Sequence, residues 1–116
     1  MRLDVLIKWA AIGWTLAIFV GCGWPSDYPT EDIITVNDKF IHFSIFGLWA
    51  FLWLMVYRFP ARLFVIGVLY GFAIEIYQLV MPINRDFEWL DLVADTGGIL
   101  AGLTVGTILM RRLSRG

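Results

Sequence analysis

Apolar residues run through this chain in four long stretches with almost no alternation. They extend over Val5 to Trp24, Phe40 to Tyr57, Leu63 to Met81 and Leu90 to Met110. Each is close to the roughly 20 residues a helix needs to cross the hydrocarbon core of a bilayer. Continuous apolar runs, without a period of two, predict helices and argue against a membrane β-barrel. The connections are short and leave no room for a separate soluble domain. The pattern therefore predicts one all-α membrane domain over residues 1–116, an integral four-helix bundle. Composition agrees: 59% of the 116 residues are hydrophobic and the mean hydropathy is +0.75, more apolar than is usual for a soluble domain.

The net charge of −1 says little, but its distribution orients the chain. Arg2 and Lys8 lie at the start of the first span, Arg58 and Arg62 between spans two and three, and Arg111, Arg112 and Arg115 after the last. With four spans these groups share one side. Positive residues mark the cytoplasmic side, so both termini are expected to be cytoplasmic. The other side holds Lys39 and Arg85 among the acids Asp27, Glu31, Asp32, Asp38, Asp86, Glu88, Asp91 and Asp95. Trp24 and Trp89 fit an outer aromatic belt and Trp9 an inner one. Cys22 is the single cysteine, so no intrachain disulfide forms. It reads either as a small lipid-buried side chain or as the lipidated cysteine of a lipobox. Phe19 is a poor first residue for the lipobox, and Asp4 is out of place in a signal peptide.

The connections fix neighbours. Pro25 to Asn37 is the one long loop, rich in proline and acids, and Asn37 or Asp38 is suited to cap the second helix. Arg58-Phe59-Pro60-Ala61-Arg62 reads as a tight turn that makes spans two and three antiparallel. Pro82 to Trp89 is short and makes spans three and four neighbours. Gly98, Gly102 and Gly106 recur at every fourth position of the last span, with a shorter pair, Gly67 and Gly71, on the third. Such stripes let helices approach closely in lipid, within one chain or across an oligomer.

Polar residues form a stripe on each of the last three spans, since residues three and four apart share a helix face. Asp38, His42 and Phe46 align on span two, Gly71, Glu75, Gln78 and Pro82 on span three, and Asp91, Asp95, Gly98 and Gly102 on span four. Facing these stripes inward gathers a candidate ligand-binding set: Asp38, Lys39, His42, Glu75, Gln78, Arg85, Asp91 and Asp95. Glu75 is the deepest acid, about 10 Å below the end of its span at 1.5 Å per residue. Ionisable groups in lipid are expensive and usually mark a site. A purely structural account pairs Arg85 with Glu75 or Asp91 and Lys39 with Asp95. Against it, the acids outnumber the bases, and unpaired buried charge is costly.

Three chemistries stay open. A divalent ion on Asp38, His42, Asp91 and Asp95 has only one histidine and no spacing signature behind it, so no metal is assigned. Acid–base chemistry on a lipid-linked substrate would use His42 as base and a neutral Glu75 as acid. Ser44 lies on another face from His42, and no nucleophile motif is present, so catalytic residues are not assigned. Recognition of a polar headgroup would aim Arg85 and Lys39 at a phosphate and the acids at sugars or amines. No cofactor and no nucleic-acid motif is evident.

Taken together, these residues resemble the VanZ-like family of small bacterial membrane proteins. The resemblance starts at Asp38-Lys39-Phe40-Ile41-His42-Phe43 with Phe46-Gly47. It continues through Glu75-Ile76-Tyr77-Gln78 and Arg85, and ends at Asp91-Leu92-Val93-Ala94-Asp95-Thr96-Gly97-Gly98 with Gly102. It covers about Asn37 to Met110. The family usually carries asparagine where this chain has Asp95, and the chain ends soon after span four, close to a minimal version. The resemblance implies a multi-pass protein of the bacterial inner membrane with a cell-envelope role, since the family takes its name from a teicoplanin-resistance protein and recurs beside exopolysaccharide functions. The expected partners are the bilayer, a lipid-linked or cell-wall precursor, and a homo- or hetero-oligomer formed through the glycine stripes. Binding or action on the precursor at the outer face is the leading expectation. A non-catalytic scaffold in an envelope polysaccharide complex is the alternative.

Overall fold

The computed structural model describes residues 3–22, 35–80 and 89–115, with side chains for 3–21, 39–80 and 89–113. They form four helices: α1 Leu3–Cys22, α2 Thr35–Tyr57, α3 Pro60–Val80 and α4 Trp89–Arg115. Each contains a stretch long and apolar enough to cross a membrane.

Their ends depart from the hydropathy pattern for local reasons. α2 begins at Thr35, before its apolar run, so Asn37 and Asp38 belong to its first turns and do not cap it. α4 continues past Met110 through the arginines, which are good helix formers. Pro60 is the first residue of α3, not the middle of a turn. There the missing N–H is no loss, because the first amides of a helix have no partner within it. Only Arg58 and Phe59 link α2 to α3. Arg58 adopts φ 59°, and its N–H donates to the Leu54 carbonyl at 3.0 Å, a left-handed cap that ends α2.

The closest helix pair is not consecutive in the chain. α2 and α4 run parallel, with Gly98 against Phe43, Gly102 against Gly47, and Gly106 against Leu54. A Cβ on Gly98 would fall 2.1 Å from the Phe43 carbonyl oxygen, and one on Gly102 2.2 Å from that of Gly47. The two backbones therefore touch, and only glycine permits it. The α4 stripe is thus taken up inside the chain, against α2. α3 returns antiparallel along both, and Gly67 makes room there for Trp49 and Ile99.

α1 packs on α2 and lightly on α3. Its anchor is Thr15. The hydroxyl donates to Ala11 C=O at 2.8 Å and accepts from Trp49 Nε1 at 3.0 Å and Trp53 Nε1 at 2.9 Å. The Thr15 carbonyl also accepts from the Tyr70 hydroxyl. One turn of helix thereby ties α1 to α2 and α3. The core beside it is Phe46, Trp49, Ala50 and Leu54 of α2, with Ile18, Ile74, Ile99 and Leu103. Outside, residues such as Leu69, Val93 and Val105 are exposed, as suits a surface covered by lipid.

Candidate functional site

The parallel α2–α4 pairing places like ends together, and with them the polar residues. Lys39 and His42 lie three apart on α2, and Asp91 and Asp95 four apart on α4, so each pair projects from one face. One turn further on, the Gly98–Phe43 contact holds the backbones close enough for short aspartate side chains to reach across.

His42 Nδ1 lies 2.8 Å from Asp95 Oδ1, a hydrogen bond between side chains that are 6% and 1% exposed. Its Nε2 lies 3.7 Å from Asp91 Oδ2, within ion-pair range but too long for a hydrogen bond. Lys39 Nζ donates to Asp91 Oδ1. The result is a continuous series, Lys39–Asp91–His42–Asp95, running from the partly exposed lysine into the bundle. It corrects the expected pairing of Lys39 with Asp95. In parallel helices the earlier residue of one pair meets the earlier of the other and the later meets the later, so Lys39 meets Asp91 and His42 meets Asp95. Asp91 also lies in the first turn of α4, where a carboxylate complements the helix dipole.

α3 closes the third side. Glu75 and Gln78 are buried at 0% and 2% exposure, and each is engaged by an interaction of its own. Gly71, one turn before Glu75, faces Asp95; a Cβ there would come 3.0 Å from Asp95 Oδ2. The sequence puts Gly71 both in a packing stripe and on the face of Glu75 and Gln78, and the structure sets it against the aspartate of α4. Phe46, next on the α2 stripe, forms apolar core beneath the series. Ser44 is exposed while His42 is buried. Arg85 and the side chain of Asp38 lie outside the described residues.

Three helices thus bring Lys39, His42, Glu75, Gln78, Asp91 and Asp95 to one end of the bundle. Among the described residues, no three His, Cys, Asp or Glu side chains are grouped to hold a metal ion. An imidazole with a carboxylate facing each ring nitrogen can take a proton at one nitrogen and release it at the other. The lysine at the mouth presents a cation, and the acids behind it present acceptors.

A four-helix, multi-pass membrane bundle with a buried ionic series at one end is the class that fold and site define. Within that class the chain belongs to the VanZ/LLP1 family, whose model matches residues 8–110. The match takes in most of α1 as well as the motifs from Asn37 onward. No curated protein and no solved structure is significantly similar to the chain.

Proposed function

We propose that residues 1–116 act as a single cell-envelope accessory domain of the bacterial inner membrane. In this reading both termini are cytoplasmic, and the polar end binds a lipid-linked cell-wall or exopolysaccharide precursor at the periplasmic face. The orientation rests on Arg58, Arg62, Arg111 and Arg112, which lie at the end opposite His42. The single observation that carries the binding role is the Lys39–Asp91–His42–Asp95 series, which lies toward one end of the helices and not midway along them.

The geometry suggests how a ligand enters. Lys39 is the most exposed member, its side chain 21% accessible. A precursor phosphate competes with Asp91 for its ammonium, as charge-assisted bonds to phosphate are strong. Asp91, released from Lys39, then accepts from sugar hydroxyls or an amine. Asp95, with Gly71 against it, holds His42 in place behind it. The reading is one of binding, since the series presents a cation and carboxylate acceptors to a polar headgroup. A scaffold role through the glycine stripe has less support, since that stripe is covered by α2.

The test is retention of lipid-linked precursor by the purified full chain, read by native mass spectrometry. Lys39→Gln and Asp91→Asn should each lower retention about tenfold with the protein still monodisperse, one charge-assisted bond being worth about 1.5 kcal/mol or more. Unchanged retention in both variants sinks the reading. A C-terminal reporter active only in the periplasm would overturn the orientation.

A further inference from the structure

At the arginine end, α2 packs against α4 at Gly106, and a gap lies between α4 and α3. The gap is an open cleft of about 430 Å³, walled by Pro60, Ala61 and Phe64 of α3 and by Leu103, Thr107 and Arg111 of α4. A second hollow of about 330 Å³ adjoins it and shares Pro60, Thr107 and Arg111, with Arg58 on its rim. The combined space is apolar along its length and cationic at its mouth. Arg62 and Arg112 lie on the same end, with Asp4 of α1.

Arg58 supplies an independent observation. It holds φ 59°, the left-handed region, at the position that ends α2. Glycine is the inexpensive residue there, and any side chain costs about 1–2 kcal/mol. The chain places an arginine at that point, on the rim of the hollow.

We infer that this cleft is a binding site for one anionic phospholipid. Its phosphate is held by Arg58 and Arg111, and an acyl chain lies between α3 and α4 over Phe64 and Leu103. An amphipathic anion matches both halves of the site: the guanidinium forks fit phosphate, and the apolar walls fit the chain. A zwitterionic lipid offers the same chain without net charge, and free phosphate offers the charge without the chain. The site lies at the opposite end from His42, so it stands or falls apart from the precursor reading.

The experiment uses the full chain in detergent, given equimolar phosphatidylglycerol and phosphatidylcholine of identical acyl chains, with bound lipid read by native mass spectrometry. The protein should retain one phosphatidylglycerol in preference. Arg58→Gln with Arg111→Gln should lower that retention about thirtyfold, and Arg58→Lys with Arg111→Lys should restore most of it, as expected for about 1 kcal/mol per cation. Ala61→Trp, which keeps every charge and fills the cleft, should also lower it. Equal retention of the two lipids overturns the proposal. So does full retention in Ala61→Trp, or displacement of the lipid by millimolar inorganic phosphate, which would make the mouth a bare anion site. Each variant is first checked for native helix content by circular dichroism.

Discussion

Thr15 and His42 are both polar residues set among apolar helices, and their surroundings are built differently. Thr15 is part of a neutral fastening. Its hydroxyl makes one donation and two acceptances, which is its full capacity, and its partners are two indoles and a carbonyl. His42 lies between two carboxylates, with a lysine beyond one of them and a buried glutamate nearby. Neutral hydrogen bonds suffice to hold α1, and a glycine seam suffices to hold α4. Charged groups taken out of water are an expensive way to do the same job, and they are often matched in stability by apolar packing. The ionic end therefore costs stability that the bundle has no need to spend on architecture, and that favours a ligand there.

The largest test of this contrast is to break the seam. Gly98→Leu and Gly102→Leu insert side chains where a Cβ alone would meet a carbonyl oxygen at 2.1 and 2.2 Å. Overpacking against backbone has no flexible neighbour to yield, so a loss of about 3 kcal/mol or more is expected. The readout is thermal unfolding in detergent with size-exclusion chromatography. If either variant stays monodisperse at the wild-type melting temperature, the seam is not what holds α4.

Next in size is the ionic end. Asp95→Leu leaves the His42 Nδ1 side buried without its acceptor and is expected to cost about 3 kcal/mol. Asp95→Asn keeps an oxygen where Oδ1 accepts, and should cost about 1 kcal/mol or less. The 2.8 Å contact of Asp95 Oδ1 with His42 Nδ1 is one that an asparagine oxygen at this position can also make. Equal losses for the two substitutions, by thermal unfolding, would show that charge and not geometry is required.

Much of this was legible beforehand, and the gaps have physical causes. Four apolar runs identify four helices because bilayer-length hydropathy is a strong, local signal. The start of α2 was hidden because Thr35, Asn37, Asp38 and Lys39 are polar, and hydropathy registers only the apolar part of a helix. The periodicity of His42, Glu75, Gln78, Asp91 and Asp95 put them on shared faces. It did not give the pairing, because register between helices depends on which pair is parallel. The stripe at Gly98, Gly102 and Gly106 announced a close approach without naming its partner. Thr15 carried no pattern at all. Its donors come from residues up to 55 positions away, and the only hint was Trp49 and Trp53 four apart, two indole N–H groups on one face in need of acceptors.

A smaller effect is expected at the neutral fastening. Thr15→Val keeps the shape and removes the acceptor shared by Trp49 and Trp53. Side-chain hydrogen bonds inside membrane proteins average below about 1 kcal/mol, so a loss of about 1 kcal/mol is expected, with Thr15→Ser close to wild type. A loss as large as that of Asp95→Leu would erase the contrast between neutral and ionic burial.

The finest test asks whether the two regions are independent. α3 passes between them: Tyr70 donates to the Thr15 carbonyl, and the next residue, Gly71, lies against Asp95. If α3 is a rigid spacer, Thr15→Val and Asp95→Asn should add within about 0.5 kcal/mol in a double-mutant cycle of unfolding free energies. Gly71→Ala and Asp95→Asn touch the same oxygen position and should couple by more than that. Coupling of the first pair as large as the second would mean that α3 transmits between the fastening of α1 and the ionic end. A ligand seated at His42 would then be felt at Thr15.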